Sequence, residues 1–153
     1  MRFVAGLFVL LLLGSAAQAQ DRWRAEDSRA IQDCIKEKES KEEADRCIGI
    51  IANPCLDRPE GQSTQGQVDC YRREHLVWDD ILNETYRRLQ GSFEGKLKSQ
   101  LRDLQLVWLE ARKQQCGFYQ DVIKGSLAVP IAASCMNTET ARRAIYLLSI
   151  LNI

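Results

Sequence analysis

The chain has 153 residues with 21 basic and 21 acidic side chains, so its formal net charge at pH 7 is zero. A neutral chain lacks the positive field that attracts nucleic acids and anionic membranes, which excludes both as expected partners. Three prolines, a 45% hydrophobic content and no internal repeat are typical of one globular domain with a packed core.

The first nineteen residues have the pattern of a secretory signal peptide. Arg2 gives a positive start, an apolar run follows from Phe3 to Leu13, and Ala17-Gln18-Ala19 is a small-x-small cleavage site. The run is shorter than the roughly 20 residues that span a bilayer. We predict cleavage before Gln20, no membrane anchor on the mature chain, and release into the periplasm or the medium.

All six cysteines follow the predicted cleavage site: Cys34, Cys47, Cys55, Cys70, Cys116 and Cys135. An exported chain meets oxidising conditions, which favour disulfides, although spacing alone does not fix the pairing. A zinc site would need close cysteine or histidine pairs, but the chain has no CxxC pair and a single histidine, His75. The sequence predicts three disulfides, no metal and no cofactor.

The N-terminal part of the mature chain has a helical pattern with a break near its middle. Apolar residues and cysteines recur at three-and-four spacing from Asp27 to Ile51, and Ser40 followed by Glu43 is a capping box. We predict two short helices in a hairpin with Cys34 facing Cys47. Prolines 54 and 59 then end the pattern, so we predict a loop there and a boundary between an extension, residues 20–54, and a main domain, residues 55–153.

Two long amphipathic helices are predicted in the main domain. The first stripe runs through Val68, Tyr71, His75, Trp78, Leu82, Thr85 and Leu89, and the second through Leu97, Leu101, Leu104, Trp108, Ala111, Gln115 and Phe118. With a stop at Gly91-Ser92, the second helix is expected to fold back antiparallel so that each stripe covers the other. This register places Glu74 opposite about position 108, which allows an ion pair with Arg112.

The C-terminal part is predicted to contain a loop and a last helix. Gly117 to Pro130 should be the loop, and the helix should run from Thr138 to Ile150 with Asn137 or Thr138 as its cap. Its apolar face would cover the open side of the hairpin. The predicted fold is therefore all-α: an antiparallel long-helix hairpin covered by a C-terminal helix and a short N-terminal helical hairpin, stapled by disulfides.

The polar residues of the two long helices do not form a recognisable catalytic set. The chain has no ordered Ser-His-Asp set, glycine-rich phosphate loop or HExxH motif, so we predict a protein that is not an enzyme. The Asp79, Asp80 and Glu84 carboxylates diverge around a helix, and only the last two share a face. His75 lies on an apolar stripe with no catalytic neighbour, which favours a packed histidine.

Other candidate residues border the predicted seam between the long helices. Asp79, Asn83, Tyr86 and Gln105 are expected to hold the helix register by hydrogen bonds, with a ligand-binding groove as the alternative. Trp78 and Trp108 are expected to be core aromatics. Arg112 is either a structural clamp or a side chain that reaches an acidic partner.

The ordered motifs resemble the LprI-like lysozyme-inhibitor family of small exported bacterial domains. The matching elements are Cys55 with Thr64-Gln65 and Cys70, then Trp78-Asp79-Asp80-x-Leu82-Asn83-x-x-Tyr86, Gln105-x-x-Trp108-x-x-x-Arg112-x-x-x-Cys116, Gly125-Ser126, and Cys135 with Thr140-x-x-Arg143-Ala144. The resemblance extends from about Cys55 to Leu148 and does not cover the extension.

The resemblance implies a set of disulfides. Cys55 would pair with Cys70 and Cys116 with Cys135, which leaves Cys34 for Cys47. A Cys70–Cys116 pairing remains a competitor, because the antiparallel register also brings these two residues together.

The resemblance also implies a function, an exported protein that binds and inhibits lysozyme-type peptidoglycan hydrolases. The candidate contact is the loop between Cys116 and Cys135, whose Lys124-Gly125-Ser126 tip would enter the hydrolase cleft and meet its catalytic carboxylates. The expected partner is then a lysozyme. The alternative is an envelope interaction or structural module that binds another protein and has no effect on lysozyme.

Overall fold

The computed structural model describes residues 14–38 and 40–152, and these residues form helices and turns without a strand. The helices are α1 (Gly14–Lys36), α2 (Lys41–Ala44), α3 (Ala52–Leu56), α4 (Thr64–Ser92), α5 (Gly95–Val122) and α6 (Ala128–Leu151), with 3₁₀ turns at Asp45–Cys47 and Pro59–Gly61. The all-α prediction is confirmed. Residues 1–13 of the predicted signal peptide lie outside the described residues. No helix in the described part is both long and apolar enough to cross a bilayer.

Helix α4 ends at the stop that the sequence predicts, Gly91-Ser92. It begins at Thr64, where the Ser63 hydroxyl accepts a hydrogen bond from Gly66 N at 3.0 Å, and it ends at Ser92. This serine cap satisfies one of the N–H groups that a helix start leaves without a partner. The stripe that contains Trp78, Leu82 and Leu89 is buried as expected.

The main partner of α4 is α6, not α5. The two long helices are joined by a short turn as predicted, but they contact each other little, so the expectation that their stripes cover each other is wrong. Ala141 and Ala144 of α6 are fully buried in the same core cluster as Trp78. Alanines allow two helices to approach closely, which gives α6 the better surface for α4.

Helix α5 runs antiparallel to α6 and is attached along a narrow face. Gln105 contacts Arg143 of α6, Arg112 contacts Thr140, and Cys116 is bonded to Cys135. The residue numbers rise along α5 while those of their partners fall along α6, so the two helices are antiparallel. The buried residues of α5 are Leu101, Gln105 and Cys116. Most of the predicted stripe, including Leu97, Leu104 and Phe118, is exposed.

The connection from α5 to α6 is much shorter than predicted. Helix α5 continues to Val122 and α6 begins at Ala128, so the predicted loop at 117–130 and the predicted helix start at Thr138 are wrong. Pro130 lies in the first turn of α6, where a missing N–H costs no helical hydrogen bond. Asn137 is a buried residue within α6 and does not cap it.

The N-terminal extension follows the predicted hairpin only in part. Ser40 caps α2 by accepting a hydrogen bond from Glu43 N at 3.2 Å, and a disulfide joins Cys34 to Cys47. After α2 the chain forms a 3₁₀ turn and a non-helical segment instead of a second helix to Ile51. The predicted loop at Pro54 is also wrong, because this proline lies in the first turn of α3.

Three disulfides connect these elements, with Cα–Cα distances of 5.9, 5.6 and 5.5 Å for Cys34–Cys47, Cys55–Cys70 and Cys116–Cys135. These are the pairs that the family resemblance implies, and the competing Cys70–Cys116 bridge is wrong. Disulfides of this kind persist in oxidising compartments, which indicates an extracytoplasmic protein.

Candidate functional site

A buried carboxylate, Glu74 of α4, connects the main domain to the extension. Its side chain is fully buried, and its Oε1 accepts a hydrogen bond from Gly49 N at 2.7 Å. Its Oε2 accepts hydrogen bonds from Ile51 N at 2.9 Å and Ala52 N at 2.8 Å. One side chain thus binds three backbone N–H groups of the segment that leads into α3, which fixes that segment on α4.

The geometry of this segment depends on a glycine. Gly49 has a positive φ of 97°, which side chains with a Cβ rarely adopt. A Cβ at this position would lie 2.6 Å from Asn53 Nδ2. Gly49 therefore allows the backbone to turn and present its N–H groups to Glu74.

Glu74 also connects α4 to α6. Trp78 Nε1 donates to Oε1 at 3.0 Å, and Asn137 Nδ2 of α6 donates to the same oxygen at 3.1 Å. Five donors surround the carboxylate, so its charge is compensated by hydrogen bonds. The predicted Glu74–Arg112 ion pair is wrong, because Arg112 contacts Thr140 and Trp108 instead.

A second cluster lies between α5 and α6 and consists of cations stacked on aromatic rings. The Arg112 guanidinium lies 4.6 Å from the centroid of the Trp108 ring, and that of Arg143 lies 5.5 Å from the same ring. Arg143 also lies 5.2 Å from the Tyr146 ring, which Lys41 of α2 approaches at 5.7 Å. Such contacts are attractive because the ring faces carry negative partial charge.

Hydrogen bonds orient both guanidinium groups of this cluster. Arg112 Nη1 donates to Thr140 Oγ1 at 2.6 Å, and Arg143 Nε donates to Gln105 Oε1 at 3.0 Å. Within the described part of the chain, Arg112 Nε and Arg143 Nη2 are buried and have no hydrogen-bond partner. The cluster clamps α5 to α6 through charged groups rather than through an apolar seam.

Burial changes the acidity of the groups in and beside this clamp. Burial lowers the pKa of Arg112, and the charge of Asp79 opposes this effect. Burial likewise lowers the pKa of Arg143, with Tyr146 opposing it. The pKa of His75 is lowered chiefly by burial, which outweighs the opposite effect of Asp79. The two arginines keep their charge at neutral pH, since an ordinary guanidinium loses its proton only in strongly basic solution.

The predicted contact residues form the tip between α5 and α6. Lys124, Gly125 and Ser126 are all exposed, and Gly125 has a positive φ of 99° that permits the tight turn. Cys116 lies eight residues before Lys124, and Cys135 lies nine residues after Ser126, so the disulfide is a little more than two helical turns from the tip. The tip is therefore a short projection from two stapled helices.

An open cleft of about 380 Å³ lies behind the tip, between α4, α5 and α6. Its walls include Tyr71 of α4, Gln115 and Tyr119 of α5, and Thr138 and Arg142 of α6. The cleft has no group of His, Cys, Asp or Glu residues that could hold a metal ion, and the rest of the described chain has none either. Aromatic and hydrogen-bonding side chains line the cleft.

The remaining candidates take local positions in the helices. Asn83 Nδ2 donates to Asp79 Oδ2 at 2.9 Å within α4, and Tyr86 OH accepts from Gln90 Nε2 at 3.1 Å. Gln105 binds α6 rather than a residue of α4. These polar residues do not come together in one groove.

Glu74 is the residue whose role sequence reasoning missed. It lies four residues before Trp78, at the edge of the apolar stripe of α4, and a lone carboxylate buried at such an edge must find hydrogen-bond donors. That signal was visible in the sequence. Its backbone donors could not be named in the same way, because they lie more than twenty residues away.

Among the comparisons with known proteins, one finds a family. A family model described as lysozyme inhibitor LprI matches residues 55–147. No curated protein and no solved structure matches the chain. The matched range contains Glu74, the clamp between α5 and α6, the tip and two of the three disulfides, and it covers more than half of the chain. The chain therefore belongs to the LprI lysozyme-inhibitor family.

Proposed function

We propose that this protein inhibits lysozyme-type peptidoglycan hydrolases by inserting the tip, Lys124 to Ser126, into the substrate cleft of the enzyme. The observation that carries the proposal is the family match, whose range includes the tip. Inhibition is steric in this proposal, because the tip occupies the space that the glycan chain needs.

The chemistry of the tip supports this role. The hydrolase cleft contains a pair of carboxyl groups that flank the scissile bond. Lys124 offers a cation and Ser126 a hydroxyl, and both are exposed at the end of a narrow projection. A lysine ammonium that reaches an ionised carboxylate in a partly dry cleft makes a strong, charge-assisted hydrogen bond.

The rigidity of the tip also supports the proposal. The Cys116–Cys135 disulfide and the clamp of Trp108, Arg112 and Arg143 hold α5 and α6 together behind the tip. A loop that is already ordered loses less conformational entropy when it binds. In this proposal Arg112 acts by positioning α5, and Lys124 and Ser126 contact the enzyme.

The site of action is the periplasm or the surrounding medium. The disulfides require an oxidising compartment, and the predicted signal peptide would direct the chain there. N-terminal sequencing of the exported protein should find Gln20 as the first residue.

Clearing of a bacterial cell-wall suspension by a c-type lysozyme tests the proposal. Equimolar oxidised mature protein should slow the clearing, and reduction of its disulfides should abolish the effect. Replacing the tip side chains, Lys124→Ala with Ser126→Ala, should raise the half-inhibitory concentration by about tenfold or more, which corresponds to about 1.4 kcal/mol of binding free energy.

The opposite end of α5 provides a matched control. Lys98 and Ser99 are also an exposed lysine–serine pair, and the Lys98→Ala, Ser99→Ala variant should inhibit as the parent does. If the tip variant and this control inhibit equally well, the tip is not the contact. Undisturbed clearing at a tenfold excess of the parent protein would reject lysozyme inhibition altogether.

A second candidate function is an interaction module of the cell envelope. One observation favours it: α5 exposes several large apolar side chains, including Val107 and Phe118. Exposed apolar surface of this kind marks protein contacts. This function predicts no effect on lysozyme, so the same clearing assay distinguishes the two candidates.

A further inference from the structure

Helix α5 exposes a row of apolar side chains, which we call the α5 stripe; the uncharged Gln100 and Gln115 lie between its members. Its members are Leu97, Leu104, Val107, Ala111, Phe118 and Val122. At about 100° per residue these positions lie within an arc of about 80°, and at 1.5 Å per residue they extend over about 38 Å. The five large side chains are 56–69% exposed.

The α5 stripe lies beside the face that holds α5 in the fold. Leu101, Gln105 and Cys116 define that buried face, which is rotated around the helix by roughly 100° from the stripe. The contacts with α4 and α6 therefore leave the stripe uncovered by the described part of the chain.

The exposed area is large for a chain of this size. Five side chains that are each more than half exposed present on the order of 500 Å² of apolar surface, at the upper end of what the largest patch of a monomer shows. Two such stripes in contact would bury roughly 1,000 Å², and the flanking side chains would bring the total toward the 1,200 Å² of a small stable interface.

We propose that the α5 stripe is a homodimer interface in which the α5 helices of two copies pack antiparallel about a two-fold axis near residue 109. In this register Leu97 lies opposite Val122 of the second copy, and Val107 lies opposite Ala111. The small Ala111 side chain allows the two helices to approach closely at the centre of the contact.

Charges at the two ends of the stripe favour the antiparallel arrangement. Lys96 and Asp121 are both exposed, and they lie on the same side of the α5 stripe at its two ends. An antiparallel pair brings Lys96 of one copy to Asp121 of the other, twice per dimer, whereas a parallel pair keeps these two residues at opposite ends of the contact, so they never meet. The zero net charge of the chain adds no long-range repulsion between copies.

The dimer would carry its two tips at opposite ends. The tip follows directly after Val122, at the end of the stripe, so an antiparallel contact turns the two tips away from each other. Each tip remains accessible.

Sedimentation equilibrium of the oxidised mature protein, from nanomolar to high micromolar concentration, tests the proposal. The parent should change from monomer to dimer with a single dissociation constant. Leu104→Glu places a charge in the apolar contact and should raise that constant by roughly a hundredfold or more. Because Leu104 is exposed, this change should leave the fold intact, which the helical circular dichroism and the three disulfides can verify.

Leu106 is a closely matched control. It is 59% exposed, against 56% for Leu104, but it points to the opposite side of α5. Leu106→Glu should dimerise as the parent does. A parent that stays monomeric over the whole range overturns the proposal, and so does a Leu106→Glu variant that dissociates as much as Leu104→Glu.

A charge exchange tests the register. Lys96→Glu and Asp121→Lys should each weaken the dimer by roughly tenfold, and the two changes together should restore it. A double variant weaker than either single variant would overturn the antiparallel arrangement. If Leu104→Glu abolishes lysozyme inhibition while the parent is monomeric, the stripe is a hydrolase contact and the dimer is wrong.

Discussion

Helices α4 and α5 have nearly the same length, 29 and 28 residues, but different positions in the fold. Helix α4 is the centre of the core, where its Trp78 and Leu89 side chains are buried. Its Glu74 carboxylate accepts hydrogen bonds from the extension and from α6. Helix α5 lies at the periphery, where it exposes most of its apolar stripe.

The difference shows that an amphipathic pattern does not specify how deeply a helix is buried. Both helices have an apolar stripe, yet the buried alanines of α6 pack against α4. Helix α5 is held by one disulfide and by stacked arginines, which are local attachments. We infer that α4 contributes more than α5 to the stability of the fold.

The largest expected effect on stability comes from the loss of the buried carboxylate of Glu74, because this group attaches α4 to its neighbours. In Glu74→Gln, the amide NH₂ would face backbone N–H groups that now donate to a carboxylate oxygen. We expect a loss of about 3 kcal/mol or more in the free energy of unfolding, measured by urea denaturation of the oxidised protein.

Glu84→Gln on the same helix is the control for this substitution. Glu84 is exposed and forms an ion pair with Arg87 one turn away. Removing its charge should change the free energy of unfolding by less than about 0.5 kcal/mol. Equal effects of the two variants would mean that the Glu74 hydrogen bonds do not stabilise the fold.

The second largest effect should come from the disulfide that attaches α5. Cys116→Ala with Cys135→Ala removes a disulfide between two residues that are 19 positions apart in the sequence. This change should lower the free energy of unfolding by about 3 kcal/mol. Hydrogen exchange should show the C-terminal half of α5 opening while α4 and α6 remain protected. If all three helices lose protection together, α5 is part of the cooperative core.

A smaller effect is expected from the clamp between α5 and α6. Arg112→Met removes the hydrogen bond to Thr140 and the stacking on Trp108, and should lower the free energy of unfolding by about 1–2 kcal/mol. Arg102→Met is the control, because Arg102 is exposed and pairs with its neighbour Asp103. An Arg112 variant as stable as this control would show that the clamp contributes nothing.

The smallest effect concerns pH. Burial lowers the pKa of His75 below its usual 6.5, so the unfolded chain binds a proton more readily than the folded chain. Stability should therefore fall as the pH decreases through about 6.5. The chain has no other histidine, so His75→Gln should flatten this dependence between pH 7.5 and 5.5. If stability depends on pH as steeply in His75→Gln as in the parent, His75 is not the group that causes this dependence.

Much of the local structure could be predicted because it depends on neighbouring residues. The end of α4 at Gly91-Ser92 and the cap at Ser40 were both predicted, whereas the Ser63 cap was not identified. The start of α6 was missed because Asn137 looks like a cap, although it is a buried residue that donates to Glu74. The same residue type serves either role, and only its surroundings distinguish them.

The sequence by itself determined the all-α class, the helical periods, the cysteine content and the family, since each depends on residue types and their spacing. Only the tertiary structure decided that α4 packs on α6, that Glu74 binds the 49–52 segment, and that the stripe of α5 is exposed. The physical reason is that apolar burial is non-directional. Several stripes can cover one another, and close packing together with the satisfaction of buried polar groups selects among them.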